Sequence, residues 1–157
     1  MENQELVNVE QEESNVLSFG NMRKNSDTEV STYSNIQDKK KLFNLQSHVD
    51  YILNECVGDT IRVKEVLIRK YEKPLKEAVV DEETGEILKD KEVKVSCVLV
   101  DDNGKSYATG SKSFVFNLMS YLGDFDGYKD LENGIEMKII KVPVPDSSNK
   151  ALGFEIL

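Results

Sequence analysis

The residues best suited to chemistry form a line of cations with two tyrosines among them. Arg62, Lys64, Arg69, Tyr71 and Lys73 follow one another along one predicted strand and its exit. Lys91 and Lys94 open the next strand, and Lys105, Tyr107 and Lys112 surround a third. Cations spaced along adjacent strands track phosphates, and flat rings stack on bases; together they hold single-stranded nucleic acid with little sequence preference. Glu65, Glu72 and Glu92 interrupt the line. Each tyrosine has a second reading, as a core-edge residue with its hydroxyl in water. Ser106, Thr109 and Ser111 add hydroxyl donors, and Gly110 lets a backbone come close to a ligand.

Catalytic patterns are missing from the sequence. It has no phosphate-binding glycine loop and no nucleophile elbow. A histidine-based triad would need His48, the single histidine. The carboxylate pairs Glu82/Glu83 and Asp101/Asp102 fall in turns, where acids serve solubility and turn geometry. Cys56 and Cys97 belong to no C-x-x-C pair, so the expectation is two buried free thiols, no metal and no cofactor. The chain reads as a non-enzyme.

With 157 residues, 39% of them hydrophobic, the chain has material for one core. The net charge of −9 is uneven. Residues 1–35 carry seven acidic and two basic residues, a net of −5, and the other 18 basic and 22 acidic residues leave −4. This acidic, polar stretch of 1–35 is expected to be a disordered tail, with 36–157 as the folded domain. Val16, Leu17 and Phe19 inside the tail are either a chance cluster or a docking segment for a partner, such as a replication protein. No hydrophobic run has signal-peptide or membrane-spanning length, which leads to the expectation of a soluble, cytoplasmic protein without membrane contact.

The elements that must position the cations follow from periodicity. Lys39, Lys40 and Lys41 lead into a first helix, expected to be capped by Ser47 and stopped near Gly58, with Val49, Ile52, Leu53 and Cys56 as its buried stripe. The lysine triplet is either a phosphate contact or a solvated charge run. Strand one covers Thr60–Lys73 and changes phase between Ile61/Val63 and Val66/Ile68, the sequence mark of a bulge. Residues 74–90 read as a loop or hairpin with an acidic tip at 81–86. Strand two, Lys91–Asp101, puts Val93, Val95, Cys97 and Leu99 on one face. Asp102-Asn103-Gly104 turns the chain into strand three, Lys105–Gly110. Ser111 or Ser113 caps a helix to Leu122 with Phe114, Leu118, Tyr121 and Leu122 inward. An acidic loop over 124–133 precedes strand four, Ile135–Val142, and strand five, Ala151–Leu157. Three strands, a helix and two strands predict a mainly β, five-stranded oligonucleotide/oligosaccharide-binding barrel. An exposed edge at strand five would allow a homo-oligomer.

Several segments carry a family likeness: Lys41-Leu42-Phe43-Asn44, Asp59 to Val66, Glu83-Thr84-Gly85-Glu86, Val98 to Tyr107, and Ser111 to Leu118. In this order they resemble single-stranded DNA-binding proteins encoded by phages and conjugative elements of Gram-positive bacteria. The resemblance spans roughly residues 30–157. It implies an oligonucleotide-binding fold, single-stranded DNA as partner, and a role in replication or transfer in a bacterial host cell. The core's net of −4 departs from a strongly basic binder. A protein-interaction adaptor on the same barrel is the rival reading, and an acidic mimic of DNA ranks behind it.

Overall fold

A computed structural model describes residues 27–157. Nearly half of the described residues (49%) are strand, so the described part is mainly β. Seven strands are present: β1 (Glu29–Ser34), β2 (Tyr51–Ile52), β3 (Thr60–Val80), β4 (Ile87–Asp101), β5 (Ser106–Thr109), β6 (Ile135–Pro143) and β7 (Lys150–Ile156). Helix α1 (Lys39–Ser47) lies between β1 and β2, and α2 (Lys112–Gly123) between β5 and β6. Two 3-10 segments, Leu53–Cys56 and Gly127–Asn133, follow β2 and α2. The chain divides into two compact units, and the described parts are 73–92 with 27–29 in one and 30–72 with 93–157 in the other.

In the larger unit the sheet runs β2-β5-β4-β3-β6-β7, with β1 also paired to β3, and it curls as an open half-barrel. β2 pairs with β5 in parallel, and the pairs β3 with β6, β4 with β5 and β6 with β7 are antiparallel. Its core is built as the alternation requires. Ile61 and Val63, then after the phase change Val66 and Ile68, point inward from β3. They meet Val95, Cys97 and Leu99 of β4, Ile135, Met137 and Ile139 of β6, and Leu152 of β7. Helix α2 closes this core with Phe114, Val115 and Leu118, and the Phe114 ring meets Phe154 edge-on at 5.0 Å. Ser111 caps α2 by accepting from the Phe114 N–H. Phe116, on the other side of the helix, is exposed.

The phase change of β3 has visible hardware. Thr60 to Val63 pair with β6. Immediately beyond, the Asn35 side chain stands in for a strand: its Nδ2 donates to the Lys64 carbonyl, and its Oδ1 accepts from the Val66 N–H at 2.9 Å. Ser34 Oγ donates to the Val66 carbonyl at 2.6 Å. Surplus residues confirm the irregularity. Bonds from Asp102 N to Arg62 O and from Asp81 N to Glu86 O enclose eighteen residues of β3 against fifteen of β4. The extra residues must be taken up as bulges.

Two expectations are corrected. Residues 29–34, expected within the disordered tail, form β1 because β3 offers an edge beyond its β6 partner; residues 1–26, with Val16, Leu17 and Phe19, lie outside the described residues. The first helix is capped by Asp38 and ends at Ser47. Ser47 does not start it, because Asp50 is taken by β5: its carboxylate accepts from the Ser106 N–H and hydroxyl, and its N–H bonds back to Ser106. Tyr51 and Ile52 are therefore strand, and of the expected helical stripe only Leu53 and Cys56 are buried. Of the two readings of 74–90, loop or hairpin, the hairpin holds: β3 and β4 continue through it, leaving only the turn after Val80 outside them.

In the smaller unit that turn is held by Asp81, whose Oδ1 accepts from Glu83 N at 2.8 Å and Thr84 N at 3.3 Å, with Gly85 at positive φ. Val79, Val80, Ile87 and Leu88 beside it are exposed. Among the described residues no helix is long and apolar enough to cross a membrane.

Removing the Asn35 amide strands two backbone groups of β3. Asn35→Ala is expected to lower stability by about 2 kcal/mol, on the scale of lost hydrogen bonds at partly buried groups. Urea unfolding checks it through a lower midpoint at unchanged slope; an unchanged midpoint would show that β3 keeps its path without Asn35.

Candidate functional site

After the phase change, Leu67, Arg69 and Tyr71 of β3 point to the face opposite the core. On β4 that face carries Ser96 and Val98, and on β5 Ala108, which sits directly across from Val98. These residues floor an open groove of about 420 Å³. One wall is the end of α1 and the turn after it, with Leu45, Gln46, Ser47 and Val49; Ile52 and Asn54 close the side next to β5. The floor is apolar and dry at Leu67 and Val98, both buried yet outside the main core cluster. Small residues, Ala108 and Gly110, keep it open.

Among the described residues Arg69 is the only charged one lining this groove. Its guanidinium carbon lies 5.3 Å from the centre of the Tyr71 ring, a cation–π distance. Its Nε is buried without a hydrogen-bond partner. Leaving such a donor unsatisfied costs about 1–3 kcal/mol. Asn54 Oδ1 is engaged by the Thr109 hydroxyl at 3.3 Å, so its amide N–H groups face outward as further donors. The arrangement can hold a flat, acceptor-bearing group between an apolar floor and one cation.

The other expected residues stand in five places. Lys94 is exposed on β4, on the same face as Ser96 and one pleat further along. Lys112 is exposed at the start of α2, two residues after Gly110. Arg62 and Lys64 are committed to structure. Arg62 donates to the Asn133 carbonyl and pairs with Glu136, and Lys64 donates to the Glu132 carbonyl at 2.8 Å. The two lash the 3-10 segment Gly127–Asn133 to β3. Gly134 follows at φ 89°, with the Arg62 side chain against its α-carbon. Lys73 and Lys91 belong to the smaller unit and are exposed.

Tyr107 and Lys105 are at the hairpin end. The Tyr107 ring packs against the core edge, stacks on Tyr51 at 5.2 Å, and donates its hydroxyl to Asp101 Oδ2 at 2.8 Å. Burial first, then the Asp101 hydrogen bond, pushes its phenol pKa well up. Asp101 Oδ1 also accepts from Asn103 N and Lys105 N, so one carboxylate organises the whole turn. The site's apolar members Leu67, Val98 and Ala108, and its amides Gln46 and Asn54, were not singled out from sequence. The phase change, carried on to Arg69 and Tyr71, was the available signal for the face they share.

Cys97 is buried beneath the groove, and burial pushes its thiol up to about 12. Cys56 is raised too, by burial and then by Asp59 and Glu55. Among the described residues no group of three or more His, Cys, Asp or Glu side chains is placed to hold a metal ion. No protein-family model, curated protein or solved structure matches the chain.

Because the thiolate is the reactive form, Cys56 and Cys97 should resist a disulfide reagent at pH 8 in the folded protein and both react in denaturant. Fast labelling of Cys97 without denaturant would mean that the groove floor opens. Asp50 carries the opposite shift: bonding from Ser106 holds its carboxyl low. A depressed folded pKa adds stability above the unfolded value and loses it as pH falls through the folded one. Asp50→Asn should therefore lower Tm at pH 7 and make little difference near pH 2. An equal drop at both pH values would assign the effect to packing.

Proposed function

We propose that this chain is a non-catalytic single-stranded DNA-binding protein on an oligonucleotide-binding fold, acting in phage or mobile-element replication or transfer in a bacterial cytoplasm. On this reading β3, β4, β5, β6 and β7 are the five barrel strands, and α2 is the helix between the third and fourth. The sheet order β5-β4-β3-β6-β7 supports it, since the first strand of such a barrel lies between the second and the fourth. So does the groove, which lies across the first three of these strands, where such barrels take their ligands.

The observation that carries the reading is Arg69 beside Tyr71: a cation and a flat ring over an apolar floor. A base stacked there gains apolar contact and a π face, and its carbonyl or the adjoining phosphate accepts from the Arg69 guanidinium. Lys94 and Lys112 would follow the backbone at the groove's end. A duplex keeps its base faces stacked and offers neither. The adaptor reading keeps one observation in its favour, the exposed Val79, Val80, Ile87 and Leu88.

The test is fluorescence anisotropy with a labelled thymidine oligonucleotide of about 30 nucleotides, long enough for a few sites at roughly 4–16 nucleotides per barrel. Binding should favour the strand over a duplex of equal length and weaken with salt at about −0.7 in log–log slope per phosphate contact. Tyr71→Ala should cost about 1–3 kcal/mol, the range for a stacked base. Arg69→Ala should weaken binding and reduce the salt slope if the guanidinium meets phosphate, or leave the slope unchanged if it meets a base. Tyr107→Ala would reach the same 1–3 kcal/mol range only if its ring leaves Tyr51 to stack on a base. Absence of strand binding at low salt would refute the proposal and favour the adaptor.

A further inference from the structure

We infer that the solvent-facing side of α1 is a second single-strand platform, continuous with the groove, on which Phe43 stacks a base and Lys39 and Lys40 hold the adjoining phosphates. The inference rests on the reading of the groove as a single-strand site and extends it to residues outside it. Helix α1 has no buried residue. Its half-buried Leu42 and Leu45 mark the side turned to the protein, and Leu45 already lines the groove. The opposite side carries Phe43, 67% exposed. Lys39 and Lys40 precede Phe43 by four and three positions, the spacing that puts helix side chains next to one another. Lys39, Lys40, Phe43, Asn44 and Gln46 share a shallow surface cleft.

Three physical features choose the occupant. Charge is the first: Lys39–Ser47 contains three lysines and no acid, and the adjacent Asp38 is occupied in capping by Lys40 N. The second is position. Cations in the first turn oppose the positive end of the helix dipole, an unfavourable placement that a bound anion relieves. Of the three, only Lys41 has a protein partner, the Glu65 carboxylate, which ties the helix to β3; Lys39 and Lys40 form no ion pair among the described residues. The third is continuity. Gln46 lines both the cleft and the groove, so a strand leaving the groove past Gln46 meets Phe43 next. An exposed ring flanked by unpaired lysines suits a base and its phosphates, and a duplex presents no free base face to it.

Anisotropy of the full chain with thymidine oligonucleotides of about 6 and about 15 nucleotides, one able to fill the groove alone and one able to cover both stretches, tests the inference. Phe43→Ala should leave the shorter affinity unchanged and lower the longer one about 5- to 150-fold, the equivalent of one stacked base. Lys39→Ala with Lys40→Ala should reduce the salt slope for the longer strand by about 1.4, two phosphates at 0.7 each. Phe43→Tyr should bind as the parent and Phe43→Leu as the alanine variant. Full binding by Phe43→Leu would replace stacking with plain apolar contact and overturn the platform. Unchanged binding of both lengths by the Phe43→Ala and lysine variants would overturn it and leave the groove intact. If the shorter strand fails on the parent chain while the longer one binds through Phe43, the groove reading falls and the platform stands. If neither length binds the parent, both fall, and a protein partner becomes the occupant of Phe43.

Discussion

A strand has two hydrogen-bonding edges, and β3 must serve three partners. It pairs with β4, with β6 and with β1. One edge therefore has to be shared in sequence, with β6 taking Thr60 to Val63 and the β1 end taking over at Val66. The hand-over is where the strand loses its alternation, and Asn35 supplies the two backbone bonds that neither neighbour provides there. Everything on both sides of the sheet follows from it. Had Ile61 and Val63 set the phase for the rest of β3, Arg69 and Tyr71 would point into the core and Ile68 to the outside. The slip keeps Val66 and Ile68 in the core and puts a cation and a ring on the outer face instead. Core packing and the residues of the outer face are two results of one irregularity.

What was legible in the sequence was what local rules govern. The phase change of β3, the alternation of β4, the Asp102-Asn103-Gly104 turn and the Ser111 cap each depend on residues within a few positions of one another. The failures lie where a distant partner outbids a local rule. Ser47 and Asp50 have the spacing of a helix start, yet Asp50 serves Ser106, fifty-six residues away. Strand β1 looks like polar tail until β3 offers it an edge. Hydrophobic periodicity could not separate 74–90 from a loop because almost every side chain there is exposed, and a two-sided exposed ribbon has no period to read.

Candidate site residues divide for a similar reason. A charge in a sequence carries no label for what it faces. Arg62 and Lys64 look like phosphate ligands, but they hold carbonyls of the segment before β6, and Gly134 at positive φ makes room for Arg62. Tyr71 and Tyr107 both stand beside cations on strands, yet parity separates them: Tyr107 lies opposite Leu99 on the core face, whereas Tyr71 shares the outer face with Arg69. Register, which is a long-range property, decided between two residues of the same type.

The chain's net charge of −9 bears on how such a groove would work. A binder that relied on phosphate attraction would need a basic surface, because each contact adds little alone and the sum does the holding. The groove has one cation, so on the proposed reading it contributes at most one or two phosphate contacts, and most of its affinity must come from burying a ring over Leu67, Val98 and Tyr71. Stacking is insensitive to salt and blind to the protein's overall sign. An acidic protein can therefore hold a polyanion if its cations are few and placed where a ring is already held, and Arg69 over Tyr71 meets that condition.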